Sequence, residues 1–410
     1  MKPCAGPMTP SNDPHIALVQ EWCAELDAWI DANGLCGFDP FDVKLHPLIR
    51  RAQHYPLARK TATALCDRFP NASRRLLGIQ PTHNAKAYAL VAMGKMRLHE
   101  LTQEPRYLEQ ARGMLGWLLD NAAPGQPGLC WGYPFDIEAK GLHTPAGTPI
   151  GVVSAIAGDA FCRFHALTGD AAYADHAVAI ARFLLEGLPR LDGGDGTHCF
   201  AYTPSDRRRV HNANLLVAEH LLRAHALSGD AAFLEAALPA IEFTLTRQRD
   251  DGSWAYGDWR EGDPYEKGLL DLVDHHHTGF VLRSLHAIGK MHPDDRIGRA
   301  VRKGFAFYKE HLFEPPWWMP INAYGKYPVD IHACAEGALC PAVLSDEVLA
   351  ARGVSTFVVR WTWYYLRDRK TSAPFYRKYP GFTSKIIYPR WGAAWMYWAL
   401  TECLSADKAR

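Results

Sequence analysis

The chain reads as all-α, an (α/α)6 barrel of six helical hairpins with an additional N-terminal helix. Two repeats carry that reading: a turn phrase that recurs about every sixty residues, and apolar residues at helical spacing on both sides of each turn. The composition agrees with it, since 48% of the 410 residues are hydrophobic and only 22% charged, as a folded core requires.

The turn phrase appears as Leu101-Thr102-Gln103-Glu104-Pro105-Arg106-Tyr107, Leu167-Thr168-Gly169-Asp170-Ala171-Ala172-Tyr173 and Leu227-Ser228-Gly229-Asp230-Ala231-Ala232-Phe233. A weaker copy, Met291-His292-Pro293-Asp294-Asp295, follows. Gly takes the left-handed position that ends one helix, and Asp caps the next. Before the third turn, Ala213, Leu216, Val217, His220, Leu221 and Ala224 form one helical stripe. After each turn the second helix ends in a cluster such as Trp117-Leu118-Leu119, Phe183-Leu184-Leu185 or Phe243-Thr244-Leu245. The spacing predicts hairpins over 84–122, 149–187, 211–249, 275–312 and 332–368. A sixth joins 390–404 to an N-terminal helix near 14–33, and a further helix near 46–69 lies outside the regular set. A period near sixty is too long for the tetratricopeptide and HEAT arrays, and it suits a closed double ring better than an open solenoid. No linker or charge run divides the chain, so residues 1–410 are expected to form one domain, with the regular repeat over about 84–404 and the N-terminal helices within 14–69 closing the ring.

With 45 basic against 44 acidic side chains the net charge is +1, too weak a field to gather nucleic acid, and Arg207-Arg208-Arg209 is only a short run in a neutral chain. No apolar stretch reaches the roughly 18 to 20 residues of a membrane span, so no integral membrane segment is expected. Met1 to Pro14 lacks a basic region followed by an apolar one, which makes the cytoplasm the expected location. Ten cysteines, among them Cys4, fall at irregular spacings without a Cys-x-x-Cys pair and are expected to be small core residues.

A second repeat lies in the loops that lead into the inner helices. It reads Cys130-Trp131-Gly132-Tyr133-Pro134-Phe135-Asp136, Cys199-Phe200-Ala201-Tyr202-Thr203-Pro204-Ser205-Asp206 and Gly252-Ser253-Trp254-Ala255-Tyr256-Gly257-Asp258, with a fourth spread over Trp317-Trp318-Met319-Pro320 and Tyr324 to Asp330. In a closed ring these loops share one end, which would then carry a circle of aromatic planes, phenols and carboxylates. Aromatic faces stack on the C–H faces of sugars, and carboxylates bond hydroxyls or move protons. Gln248-Arg249-Asp250-Asp251-Gly252-Ser253-Trp254 also has the Gln-x-x-x-Gly-x-Trp form that is structural in terpenoid-cyclase rings, so the tryptophans are equally candidates for hairpin packing.

Polar groups open the inner helices: Asn84 and Lys86, His211-Asn212-Ala213-Asn214, Asp274-His275-His276-His277, and Asp330-Ile331-His332. Consecutive histidines point in different directions on a helix, so no metal site is expected from the three alone, and no cofactor is expected. Asp274 with one histidine forms an acid/base or sugar-binding pair or, on its position, an N-cap. Tyr376-Arg377-Lys378-Tyr379, Lys385 and Tyr388-Pro389-Arg390-Trp391-Gly392 offer a cationic wall suited to an anionic sugar.

As an ordered set, Cys130 to Asp136, Tyr202-Thr203-Pro204, Asn212 to Leu216, Asp251 to Trp254, His277 to Leu282, Pro328 to His332 and Arg390-Trp391-Gly392 resemble an uncharacterised family of (α/α)6-toroid proteins from bacterial exopolysaccharide clusters. More distantly the architecture is similar to six-hairpin glycosidases, polysaccharide lyases and uronyl C5-epimerases. The resemblance implies an oligo- or polysaccharide partner and an association with exopolysaccharide synthesis machinery.

Three functions follow as expectations. The first is a glycoside hydrolase with Asp136, Asp274 and Asp330 as acid and base candidates, backed by Asp206 and Asp258. The second is a lyase or epimerase in which His277, His211, Tyr202 and Tyr256 move the proton and Arg390 or Lys378 holds a sugar carboxylate. The third is a non-catalytic sugar-binding subunit. In each, Trp131, Tyr133, Asn212, Asn214, Trp254, His332 and Trp391 are expected to line the sugar site. Prenyl or terpene chemistry has only the Gln248 to Trp254 motif behind it and lacks the acidic motifs it needs.

Overall fold

Six inner helices form a closed ring in which each touches the next and the last touches the first. The protein, here a computed structural model, is described over residues 11–46, 49, 55–139, 142–263, 266–316, 318–321, 325–351 and 353–408. Cys4, Trp317 and Tyr324 lie outside these described residues, as does part of the segment expected to be helical near 46–69.

The chain begins with α1 (Pro14–Asn33), followed by α2 (Pro56–Arg68) and α3 (Pro70–Leu76) outside the ring. The inner helices are α4 (Ala85–Thr102), α6 (Gly151–Thr168), α8 (His211–Ser228), α10 (His275–Met291), α12 (Ile331–Leu344) and α14 (Ala394–Lys408). Their outer partners are α5 (Pro105–Asp120), α7 (Ala171–Arg182), α9 (Ala231–Leu245), α11 (Asp295–His311) and α13 (Val354–Leu366), and α1 packs on α14 as the sixth. This is the (α/α)6 barrel that the repeat predicts. The first and last turns of the sequence meet through a buried cluster: Asp27 of α1 binds Lys95 of α4 at 2.6 Å and accepts from the Tyr397 hydroxyl of α14 at 2.5 Å.

The turns form as their residues dictate. Asp170 and Asp230 accept from the Ala172 and Ala232 N–H groups, and Gly169 and Gly229 take φ of +71° and +72°. One turn upstream, His99, His165 and His225 each donate Nδ1–H to the carbonyl of Glu104, Asp170 and Asp230 at 2.9 Å. The repeat is therefore longer than the turn phrase and runs Arg-x-His-x-Leu-Thr/Ser. Its arginines Arg97, Arg163 and Arg223 point into the ring at the end opposite the long loops. There they pair with Glu402, Asp159 and Glu219, while Arg283 pairs with the fully buried Glu336.

The long loops are stitched together by short antiparallel strands. β1 (Ile137–Ala139) pairs with β2 (Leu142–Thr144), and β3 (Arg190–Gly194) with β4 (Thr197–Phe200). β5 (Arg209–Val210) pairs with β6 (Gly257–Asp258) of the next loop, and β7 (Phe313–Glu314) with β8 (Met319–Pro320). β9 (Val329–Asp330) pairs with β10 (Arg377–Lys378), which also pairs with β11 (Thr383–Ser384). Pairing between different loops fixes the end of the ring where the inner helices begin, and this is the end that carries the second repeat.

The nine described cysteines form no disulfide with one another, six of them are buried, and no described helix is long and apolar enough to cross a membrane.

Candidate functional site

The mouth is built from the first turns of the inner helices and the loops before them. Tyr133, Tyr202 and Tyr256 converge there from three successive loops, and burial, reinforced by the nearby Tyr133 and Tyr256 phenols, raises the Tyr202 hydroxyl well above its ordinary range. Burial likewise pushes Tyr256 up to about 12. Tyr133 differs from both. Burial raises it, but the Lys86 and Arg390 cations outweigh burial and bring its hydroxyl below the ordinary phenol value. Lys86 hydrogen-bonds Tyr133 from the first turn of α4, and the Arg390 guanidinium lies 4.7 Å from the Tyr133 ring centre. Burial lowers Lys86, and among the described residues no carboxylate stands within ion-pair distance of it.

Arg390 and Arg377 of the expected cationic wall are spoken for, as is Arg208 of a neighbouring loop. Arg390 grips Asp39 with Nε at 2.5 Å and Nη2 at 2.8 Å, both side chains being almost fully buried. Arg377 donates to Asp330 at 2.7 Å, and Arg208 makes three bonds to Asp206 at 2.6 to 3.0 Å. Lys378 sits half-buried in β10. These pairs hold the loops, because an isolated buried charge is costly and a fork-shaped guanidinium matches a carboxylate. Lys86, like Lys378, has no carboxylate partner among the described residues.

The carboxylates expected as acid and base are bound up in the same way. Asp330 caps α12 through the His332 N–H, accepts Trp391 Nε1–H at 2.7 Å and accepts Arg377. Asp206 is fully buried under Arg208, and Asp258 pairs with Arg247 and Arg260. Asp136 lies on the exposed rim, where it caps the Ala146 N–H and faces His143 at 3.6 Å. Asp274 caps α10 by accepting the His277 N–H at 2.9 Å, and its other oxygen accepts His277 Nδ1–H at 2.6 Å. Burial favours its neutral form, but His276, His277 and these hydrogen bonds prevail and hold it well below the usual carboxylate range. The pair of Asp274 with His277 is thus both the N-cap and the acid–imidazole couple that the sequence offers as alternatives.

Three imidazoles crowd beside it. The His276 ring centre is 4.1 Å from that of His277 and 4.8 Å from that of His332. Burial pushes His276 down to about 4, and burial with His276, Lys86 and Arg390 holds His332 far below its ordinary value. Both are neutral near pH 7. His332 is 3% exposed, lies between Trp391 and Trp395, and has no hydrogen-bond partner among the described residues on either ring nitrogen. Trp391, half-buried, offers its face at the mouth beside Phe41. Asn212 completes the floor, lining a small cavity of about 10 Å³ with Tyr256, Asp274 and His277.

Three expected site residues, Trp131, His211 and Asn214, lie elsewhere, and Trp254, which borders the same small cavity, is tied into a hairpin. Trp131 and Trp254 are 2% exposed and donate Nε1–H to the Leu118 and Thr244 carbonyls of the preceding outer helices, so they pack the hairpins. Gln248 bridges the Gly252 and Ala300 carbonyls in the same structural role. His211 is stacked on Phe243 and bonded to Thr244, and Asn214 binds the Phe200 N–H and the Ala240 carbonyl. Both serve the hairpin and not the mouth. The residues that sequence reasoning missed are Asp39 and Arg208. A signal for Asp39 exists: Cys36-Gly37-Phe38-Asp39-Pro40-Phe41-Asp42 echoes Cys130 to Asp136, and Gly37 and Gly132 make equivalent bridges to Thr82 and Pro149.

No protein-family profile matches the chain, and no curated protein matches it in sequence. Solved structures match over nearly its whole length. An unsaturated glucuronyl hydrolase specific for heparin superposes with a TM-score of 0.65 at 12% identity, covering 97% of this chain and 99% of the other. Cellobiose 2-epimerase from Bacillus thermoamylovorans gives 0.64 at 11% identity, covering 96% and 99%. The GH76 α-mannanase of Bacteroides thetaiotaomicron gives 0.63 at 10% identity, covering 95% and 96%. The chain has the six-hairpin (α/α)6 fold of these carbohydrate enzymes, which act by different chemistries.

Proposed function

We propose that the protein moves a proton at a carbon atom of a saccharide, as an epimerase or isomerase does, and that Tyr133 and the neutral histidines of the mouth serve as its acid and base. One observation carries this reading. The mouth carboxylates Asp206, Asp258, Asp274 and Asp330 are held by arginines, a tryptophan N–H or imidazoles, while Tyr133 between two cations and His332 without partners stand ready to exchange protons. Inverting hydrolysis needs two carboxylates free to take up and release protons across a gap of about 6.5–9.5 Å. Among the described candidate carboxylates, Asp136 is the one loosely held, and it sits on the rim.

A neutral sugar fits this site better than a uronate, because the arginines that would hold a sugar carboxylate already hold Asp39, Asp206 and Asp330. Trp391 and the phenols Tyr202 and Tyr256 supply stacking faces and hydroxyls for such a ring. A lyase is the second reading, and Lys86 favours it as a cation able to meet a substrate carboxylate. The exopolysaccharide setting belongs to the same proposal and rests on the loop motifs, and a cytoplasmic location is proposed alongside it.

Substitution tests it on any saccharide found to turn over. Tyr133→Phe is expected to lower kcat by about 10²-fold or more, the usual worth of a proton-transfer group, with little change in thermal midpoint. Asp136→Asn is expected to leave kcat within about threefold, where a general-acid role predicts a loss of about 10²-fold or more. Loss of activity in Asp136→Asn with full activity in Tyr133→Phe would return the protein to the hydrolases.

A further inference from the structure

The geometry points to a binding site for one divalent transition-metal ion of the zinc type, held by the Asp274 carboxylate and the Nδ1 atoms of His276 and His277. One ligand atom from each of the three residues lies within 4.8 Å of the other two, and both Nδ1 atoms face the Asp274 carboxylate. Consecutive histidines rarely share a target on a helix, but these occupy its first turn, and Asp274 as N-cap lies outside the helix and turns back over both. His276 Nδ1 stands 3.7 Å from one carboxylate oxygen and His277 Nδ1 2.6 Å from the other. Ligands on a tetrahedral ion with bonds of about 2.0–2.1 Å lie roughly 3.4 Å apart, so the first spacing already fits. The second opens by under about 1 Å when the His277 proton moves from Nδ1 to Nε2 and the ion takes its place.

Two further features suit a metal. His332, buried and without a hydrogen-bond partner on either nitrogen, has its ring centre 4.8 Å from that of His276 and can supply a fourth ligand or hold a bound water. The site is walled by Tyr256 and Trp391 yet leaves His276 and His277 21% and 26% exposed, which gives an ion a way in. Two imidazoles and one carboxylate select zinc, cobalt or nickel over magnesium or calcium, which prefer all-oxygen sites. The carboxylate offsets the positive end of the α10 dipole. An open coordination position facing the mouth would polarise a sugar carbonyl or hydroxyl. That use rests on the function proposed above, whereas ion binding does not.

The test uses full-length protein without a histidine tag, stripped with chelator and titrated with Co²⁺ while the visible d–d bands and the bound metal are measured. The expected result is one Co²⁺ per chain, displaced by Zn²⁺, with affinity lowered about tenfold or more in both His276→Ala and Asp274→Asn. The cluster of His286, Asp346 and Glu347, in which Lys290 already occupies Asp346 at 2.6 Å, is the control, and His286→Ala is expected to bind as wild type. The proposal is overturned if wild-type protein binds no Co²⁺, or if His286→Ala loses the ion and His276→Ala keeps it. Circular dichroism of each variant separates lost binding from lost folding. Proton exchange into a sugar by metal-free protein would sink the catalytic use of the ion while leaving the proposed function standing.

Discussion

Arg390 shows how single residues set the character of the mouth. Its guanidinium touches the Tyr133 ring and lies beside Trp391, but its charge belongs to Asp39, 351 residues away in sequence. A cation satisfied in this way shapes the field at Tyr133 without being free to seize an anionic substrate. Asp39→Asn keeps the shape and removes the charge, leaving a buried guanidinium unpaired. The expected cost is about 3–5 kcal/mol of folding stability, read from urea unfolding. A loss under about 1 kcal/mol would mean that solvent reaches this pair and that the wall is cationic after all. The same reasoning explains why the sequence misled on individual side chains. An aromatic-x-Tyr loop names the residue types, but irregular loops have no periodicity to say which ring faces the mouth. Trp131 and Trp254 turned to the hairpins, and Tyr133, Tyr202 and Tyr256 turned to the mouth.

The hairpin is the unit that the sequence displays most openly, because its turn is local: Gly at φ near +70° and Asp at the cap need no distant partner. The ranges 84–122, 149–187, 211–249, 275–312 and 332–368 fall close to the observed pairs, and α1 with α14 closes the ring as the repeat requires. The upstream Arg-x-His part of the repeat was harder to see, since its meaning depends on which side of the helix lies inward. Tight packing between inner helices makes a prediction at this scale. A Cβ at Gly158 of α6 would stand 2.2 Å from His220 Cε1 of α8, and that ring is fixed by a 2.9 Å bond from Nε2 to the Ala177 carbonyl. Gly158→Ala should therefore destabilise the fold by about 1–3 kcal/mol in chemical unfolding, whereas an unchanged midpoint would mean that the helices can spread.

Across the whole molecule, burial of neutral histidines ties stability to pH. Burial pushes His211, His220 and His276 down to about 4 and His275 to about 3. The unfolded chain takes up protons on these residues below about pH 6.5 and the folded chain does not, so stability is complete above that pH and falls as pH drops toward 4. Each imidazole contributes about 1.4 kcal/mol per pH unit in that window. Unfolding midpoints measured from pH 7.5 to 4.5 are expected to fall steadily, and to fall less in His211→Asn/His220→Gln. A flat profile over that range would show these rings to be solvated. The same ring closure that buries the histidines gathers phenols, imidazoles and Lys86, which has no carboxylate partner among the described residues, at a single end. That gathering is the proposed place where protons move on a sugar. Incubation of the protein with reducing mono- and disaccharides in heavy water, followed by NMR and mass spectrometry, tests this directly. Deuterium is expected on a carbon of the recovered sugar or its isomer with every glycosidic bond intact, with the exchange lost in Tyr133→Phe. Cleavage of a glycosidic bond with no carbon-bound deuterium would contradict it.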